Sequence, residues 1–353
     1  MNQDIELLRQ LVSIYSPSMQ EHAASAFLVD AMQARGYDRA FVDEAGNAVG
    51  MWGSGPREIV LLGHIDTVPG VIPVRLEGDV LHGRGSVDAK GPLASFVAAV
   101  SRLPKSQTHR FVVVGAVEEE AASSKGARHV IDQYRPECCI IGEPSQWQCV
   151  TLGYKGRLLI DYTLHHAMAH SAGPLPSAPE IAVAFWQALV HRAALFNQGR
   201  TVFEALDVSL RSINSASDGL HDTVTQRIGL RLPLGYDIDT LKAQLIADAG
   251  AATLEFFGQE VAYKSDKRNP LVRAFLKAIR AQGGEPTFKV KTGTSDMNVL
   301  APHWQCPFVA YGPGDSALDH TPQEHIGLHE YMQAIDVLQR TLELLSESRV
   351  AAR

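Results

Sequence analysis

The sequence predicts an α/β protein: a three-layer domain on a largely parallel sheet, interrupted by a smaller α+β domain. Three observations carry that expectation. Short apolar runs bounded by glycine, Ile59-Val60-Leu61-Leu62-Gly63, Phe111-Val112-Val113-Val114-Gly115-Ala116-Val117 and Cys138-Cys139-Ile140-Ile141-Gly142, have the texture of strands buried on both faces. Amphipathic stretches of helical period alternate with them, as βαβα order requires. From about Gly156 the pattern changes to open apolar–polar alternation, which suits a sheet with one solvated face, and the buried type returns near residue 267.

Taken in chain order, Gln20 to Arg35 places Ala24, Phe27, Leu28 and Met32 at helical spacing, and Gly36 stops the helix. A helix is expected after Asp88, with Leu93, Phe96, Val97 and Val100 on one face. Within the insert, Arg157 to His165 alternates as a strand and Ile181 to Leu195 is an amphipathic helix. Strands near Val208-Ser209-Leu210 and Ile228 to Leu232, a helix near Leu241 to Ala249 and a strand near Thr253 to Phe256 follow. The α/β texture resumes with a helix from Pro270 to Ala281, a buried strand over Pro307 to Gly312 and a long helix from Leu328 to Ser346. The expected boundaries are 1–156 plus 267–353 for a discontinuous domain and 157–266 for the insert; 353 residues exceed what one core usually serves.

A net charge of -7 gives no whole-chain reason to expect nucleic acid or an anionic membrane as partner. No apolar stretch approaches the roughly 20 residues of a spanning helix. Met1 to Glu6 lacks the basic start of a signal peptide, so a cytoplasmic protein is expected. Cys138, Cys139, Cys149 and Cys306 show no Cys-x-x-Cys spacing and are expected to be reduced.

The chemistry lies where the apolar runs stop. The first run delivers His64 and Asp66, the second Glu118, Glu119 and Glu120, and the third Glu143. Ligands of such sheets bind beyond the carboxyl ends of the strands. Imidazole and carboxylates placed there are the ligand set of a hydrolytic metal centre. A two-metal hydrolase needs a bridging carboxylate, terminal ligands and a base for the shared water. Asp88, in Gly83-Arg84-Gly85-Ser86-Val87-Asp88-Ala89-Lys90-Gly91, suits the bridge, because a glycine-rich turn brings its backbone close. His64 and His320 suit the terminal positions, and Asp66 is spaced to orient the His64 ring. Two adjacent acids after Val117 can divide ligand and base duties. The residues alone leave open which two. His170 is a candidate oxyanion donor if the insert closes over the metals. Arg231 can clamp a carboxylate, and the turn holding Thr294 and Ser295 can bind an anion or simply cap a helix.

These residues resemble the M20 family of co-catalytic zinc aminoacylases and deacylases. The matches are Gly63-His64-Ile65-Asp66-Thr67-Val68-Pro69, the turn from Gly83 to Gly91, the acidic cluster, Gly142-Glu143-Pro144-Ser145, His170-Ser171-Ala172, Arg231-Leu232-Pro233 and His320-Thr321-Pro322-Gln323-Glu324. The resemblance implies a zinc-peptidase-like catalytic domain with an inserted lid and dimerisation domain. It also implies two zinc ions per subunit, replaceable by cobalt in vitro, on His64, Asp88, Glu120, Glu143 and His320. Asp66 would be helper and Glu119 general base; His170 would be oxyanion donor, in its own subunit or across a homodimer. The cluster has Glu-Glu-Glu where the family has Asp-Glu-Glu. Aligning Glu118 with that Asp keeps Glu120 at a family-like distance from Gly126, whereas a one-residue slip would make Glu118 the base and Glu119 the ligand.

Within the family, Gly153 to Arg157, Lys291 to Trp304 and Ala310 to Asp315 resemble the branch that serves carrier-protein lysine biosynthesis. What this implies is cleavage of the amide between the C-terminal γ-glutamyl group of an acidic amino-group carrier protein and the α-amino group of lysine, with the ornithine compound as a second substrate. Arg273, Lys277 and Arg280 recur at i, i+4 and i+7, away from Leu271, Phe275 and Ile279. Such a stripe can steer an acidic carrier, and a solvated helix face gives the same pattern. Acetylornithine deacetylases and succinyl-diaminopimelate desuccinylases would share every metal ligand. A non-catalytic metal-dependent binding protein is disfavoured, because it would leave the spare base and Asp66 without a task.

Overall fold

The chain opens with two helices followed by five strands, so the strand–helix alternation that the apolar periodicity predicts sets in only at the helix Lys90–Ser101. The structure, a computed structural model, describes residues 2–170 and 172–347. Its opening elements are α1 (Gln3–Ser13), α2 (His22–Ala34), β1 (Arg39–Val42), β2 (Ala48–Trp52), β3 (Arg57–His64), β4 (Arg75–Glu77), β5 (Val80–His82), α3 (Lys90–Ser101), β6 (His109–Ala116), α4 (Lys125–Val130), β7 (Cys138–Gly142) and β8 (Cys149–Tyr154). Next come β9 (Gly156–Ala167), α5 (Ala178–Phe196), β10 (Asp207–Ser217), β11 (His221–Leu232), α6 (Ile238–Ala249), β12 (Thr253–Glu260) and β13 (Tyr263–Lys264). The chain closes with α7 (Pro270–Ala281), β14 (Thr287–Lys291), α8 (Asp296–Leu300), β15 (Phe308–Tyr311), a 3-10 turn (Ser316–Leu318), β16 (His325–Gly327) and α9 (Leu328–Glu347).

Two units result: one comprises the chain up to Gly153, Ser265–Val290 and the stretch from Ser295 on, the other Tyr154–Lys264 and Lys291–Thr294. In the first, the central strands run β1-β2-β6-β3-β7-β15-β8. The sheet is mixed rather than parallel throughout: β6, β3, β7 and β15 are parallel, while β1, β2 and β8 run against their neighbours. An apolar run records burial and not direction, so the sequence could not separate the two cases. Leu61, Val113, Ile140 and Val309 face a core with residues of α1, α2, α3, α7 and α9. Alternate residues point to the opposite face, where α8 packs on β15 and on α4. Two glycines let α3 approach the sheet beside the strand ends. A Cβ on Gly142 would lie 2.9 Å from both Gly63 Cα and a Phe96 ring carbon, and one on Gly63 would lie 3.3 Å from Leu93 Cβ. On α7 the buried stripe is Leu271, Phe275 and Ile279, with Arg273, Lys277 and Arg280 exposed.

The second unit is an antiparallel sheet in the order β10-β11-β9-β12, with α5 and α6 packed on one face. Leu158, Ile160, Tyr162, Val224, Ile228 and Leu230 form its core with Phe185 and Leu189 of α5. On the other face Arg227 grips the cross-strand Asp161 with two hydrogen bonds of 2.8 and 2.7 Å. Helix α5 starts three residues earlier than the apolar pattern predicts, because Ser177 and Glu180 form a capping box. Strand β10 runs on to Ser217, and its last seven residues are exposed, so hydropathy gave no sign of them. Among the described residues, no helix is long and apolar enough to cross a membrane.

Candidate metal centre

Adjacent parallel strands bring the predicted ligands together. In the order β6-β3-β7, Gly63 lies beside Gly115 on one side and Gly142 on the other. The residues that follow, His64, the acidic loop after Val117, and Glu143, therefore leave the sheet at one level. Asp88 enters from the turn before α3, and His320 from the segment after the 3-10 turn, with a left-handed φ of 62°. Non-glycine residues held in that region concentrate at functional sites.

Asp88 lies between two imidazoles. Its Oδ1 is 3.1 Å from His64 Nε2 and its Oδ2 is 3.1 Å from His320 Nε2. His320 Nε2 is also 2.9 Å from Glu120 Oε1. Three overlapping groups, His64–Asp88–Glu143, His64–Glu119–Glu120 and Asp88–Glu120–His320, each hold donor atoms within 4.8 Å of one another. His64 Nδ1 donates to the backbone carbonyl of Asp66 at 2.9 Å, which turns Nε2 and its lone pair toward the cluster. The Asp66 carboxylate is farther from the ring, at 3.5 Å. Its shorter hydrogen bonds go elsewhere: it accepts the N–H groups of Glu119 and Glu120 at 3.1 and 3.0 Å and the Ser18 hydroxyl at 2.7 Å. Asp66 thus holds the acidic loop as well as facing the imidazole. Glu118 takes another direction, accepting from Ser123 at 2.7 Å and lying 3.7 Å from Lys125 Nζ.

The electrostatics follow from crowding acids in a buried space. Burial pushes the Glu119 carboxyl well above the usual range, and Asp296, Glu143 and Glu120 add to the rise while His64 opposes it. Glu120 is also raised by burial and by Asp88, against its bond from His320. Burial alone would lower His64, but its contacts with Asp66 and Asp88 raise it well above normal. His320 is raised to about 10 by hydrogen bonds to Asp88 and Glu120. The cluster attracts positive charge, and its bare donors are imidazole nitrogens and carboxylate oxygens without a thiolate. That set fits divalent metal. Asp88, with one oxygen toward each imidazole, could offer a carboxylate oxygen to each of two donor groups.

The other predicted residues serve more local contacts. His170 is exposed, and its Nδ1 accepts the Ala172 N–H at 3.1 Å, so a neutral ring carries its proton on Nε2; Ser171 lies outside the described residues. In the inserted unit, Arg231 Nη1 donates to Thr294 Oγ1 at 2.9 Å. Ser295 caps α8: its hydroxyl accepts the Met297 N–H at 3.2 Å, and its own N–H donates to Asn298 at 2.9 Å. Sequence reasoning missed Ser18, which a small polar residue in a loop does not advertise. It also passed over Glu324, although that residue stands in the quoted motif, and Lys90, which is buried and donates to the Ile14 carbonyl at 2.5 Å. Burial lowers the Lys90 ammonium to about 7.

Residues 60–344 match the model of peptidase family M20/M25/M40. The chain belongs to the M20 peptidase family. It is 52% identical over 350 residues to the [LysW]-lysine hydrolase of Deinococcus radiodurans, covering 96% of each chain. It is 30% identical over 345 residues to the [LysW]-lysine/[LysW]-ornithine hydrolase of Sulfurisphaera tokodaii, covering 96% of this chain and 95% of that one. Among solved structures, an M20 family metallo-carboxypeptidase from Sulfolobus solfataricus superposes with a TM-score of 0.78 at 16% identity, over 98% of this chain and 99% of that one. The chain is a hydrolase of this family with a dinuclear metal-binding group.

Proposed function

We propose that the chain hydrolyses the amide joining the C-terminal γ-glutamyl group of an acidic amino-group carrier protein to the α-amino group of lysine, with the ornithine compound as a second substrate. The observation that carries this reading is the near-full-length 52% identity to a [LysW]-lysine hydrolase, combined with a complete set of ligands and a spare acid. Two zinc ions, one on His64, Asp88 and Glu143 and one on Asp88, Glu120 and His320, would polarise the scissile carbonyl and acidify water. Glu119 takes the proton from the attacking water on a carboxylate oxygen and passes it to the departing amine nitrogen. The turn of Glu118 toward Ser123 and Lys125 supports assigning base and ligand to Glu119 and Glu120.

His170 is assigned as oxyanion donor through its Nε2–H. Arg231 and Thr294 would hold the carboxylate of the amino acid, with Ser295 shaping that turn as the helix cap. The insert is assigned as lid and dimerisation domain of a cytoplasmic homodimer, and the exposed edge strand β10 supports the dimer. The basic stripe on α7 would steer the carrier. Amino-acid release by the zinc-loaded protein from carrier-γ-glutamyl-lysine, beside N-acetylornithine and N-succinyl-diaminopimelate, tests the substrate. Lysine from the carrier alone is expected; turnover of either small acyl compound in its place would overturn the carrier assignment.

A further inference from the structure

Glu324 is 0% exposed and four residues past His320, yet among the described residues its carboxylate bonds to the turn that carries Asp88. Its Oε1 accepts the backbone N–H groups of Val87 and Asp88 at 3.0 and 3.1 Å. Its Oε2 accepts Arg84 Nη1 at 2.7 Å. Arg84 reaches back to the Thr321 carbonyl at 3.2 Å, and the Gly83 N–H donates to the Glu324 carbonyl at 3.3 Å. Segments 83–88 and 320–324 are therefore stitched together at both ends and in the middle. One segment supplies the bridging carboxylate and the other the imidazole facing its Oδ2.

We propose that Glu324 is a positioning residue that fixes the Asp88 bridge relative to His320 and so sets the geometry of the second metal position. The proposal rests on the two-metal reading of the centre but not on any substrate. Physically, a carboxylate is the one side chain here that can accept two adjacent amides with one oxygen and a guanidinium with the other. Removing its charge leaves the partly buried Arg84 without its counter-ion and weakens the hold on two buried N–H groups. The Asp88 backbone is then free to rotate its carboxylate off one imidazole. His64 and Glu143, seated on strand ends, would be little disturbed; the position made by Asp88, Glu120 and His320 takes the loss.

The test is calorimetric titration of the metal-free full-length chain with Zn²⁺ and Co²⁺, alongside steady-state kinetics. Glu324→Gln should bind one ion with near-parental affinity and the second about 10–100-fold more weakly, the range seen when a partner of a metal ligand is removed. With saturating metal, kcat should fall at least about tenfold while KM changes less than about threefold, because the change affects positioning and not substrate contacts. Two ions at parental affinity, with a drop in thermal midpoint equal in the metal-free and metal-loaded protein, would mean a merely structural role and overturn the proposal. If Glu324→Gln does not fold, Arg84→Met should reproduce the selective loss and Arg84→Lys should recover part of it; parental second-ion affinity in Arg84→Met would equally overturn it. No substrate enters the titration, so its failure would leave the carrier reaction standing, and failure of the carrier assay would leave the clamp standing.

Discussion

Two regions of the catalytic unit bury acids in opposite ways. At the start of α1, Asp4 is 7% exposed and accepts Arg35 Nη1 at 2.6 Å and Arg102 Nη2 at 2.5 Å. Burial pushes its carboxyl up, but the two guanidinium groups outweigh that and hold it below the usual range. At the strand ends, burial pushes the Glu119 carboxyl up against the pull of His64, and Asp296, Glu143 and Glu120 add to the rise. One cluster is answered by arginines that are permanently charged; the other has only two imidazoles, His64 and His320, which hold positive charge as long as they keep their protons. A buried acid answered by arginine is a structural device, whereas a surplus of buried acids marks a metal centre.

Perturbing the two regions should therefore have separable consequences. Chelating the metal should bring activity to background and lower the thermal midpoint, and re-addition at about 100 times Kd should restore about 2.7 kcal/mol of stability for each ion bound. A scan in which the midpoint ignores metal would break the contrast. Glu119→Gln should cost about 10²–10⁴-fold in kcat while metal analysis still finds two ions per chain; retained turnover would mean that the base is another residue. Asp4→Asn should destabilise by about 1–3 kcal/mol in denaturant titration with kcat unchanged. Because the Asp4 carboxyl is depressed in the folded state, its contribution is fully present above about pH 4 and lost as pH falls through the folded value. The difference between parent and Asp4→Asn should thus narrow in acid; a constant gap would show that the arginines do not depend on its charge. The smallest effect belongs to α7. Reversing Arg273, Lys277 and Arg280 to Glu should raise KM for the carrier substrate several-fold at low ionic strength, and added salt should erase the difference.

The sequence was most legible where one periodicity carried both fold and site. His64 and Glu143 could be found because each closes an apolar run, and Asp88 because glycines flank it. The tandem acids were harder: three identical carboxylates differ only in which way the loop turns, and that depends on Asp66 receiving the Glu119 and Glu120 amides. Short elements escaped notice altogether. The strands β4, β5 and β16 have three residues each, too few to show a period, although β16 follows directly on Glu324 and pairs with β5. Glu324 itself carries no pattern, since its role lies in amides 236 and 237 residues away.

The hold of Asp66 on the acidic loop also has an energetic meaning. One carboxylate anchors the peptide groups of both Glu119 and Glu120, the base and a metal ligand in the proposed mechanism, so these residues share a single support. Replacing Asp66 releases the backbone that aims both side chains, so its effect will not add simply to a substitution at Glu119 or Glu120: a double-mutant cycle between Asp66 and either residue should return a coupling energy of about 0.5–3 kcal/mol. For evolution or engineering, that makes the loop a block to be exchanged whole, not residue by residue.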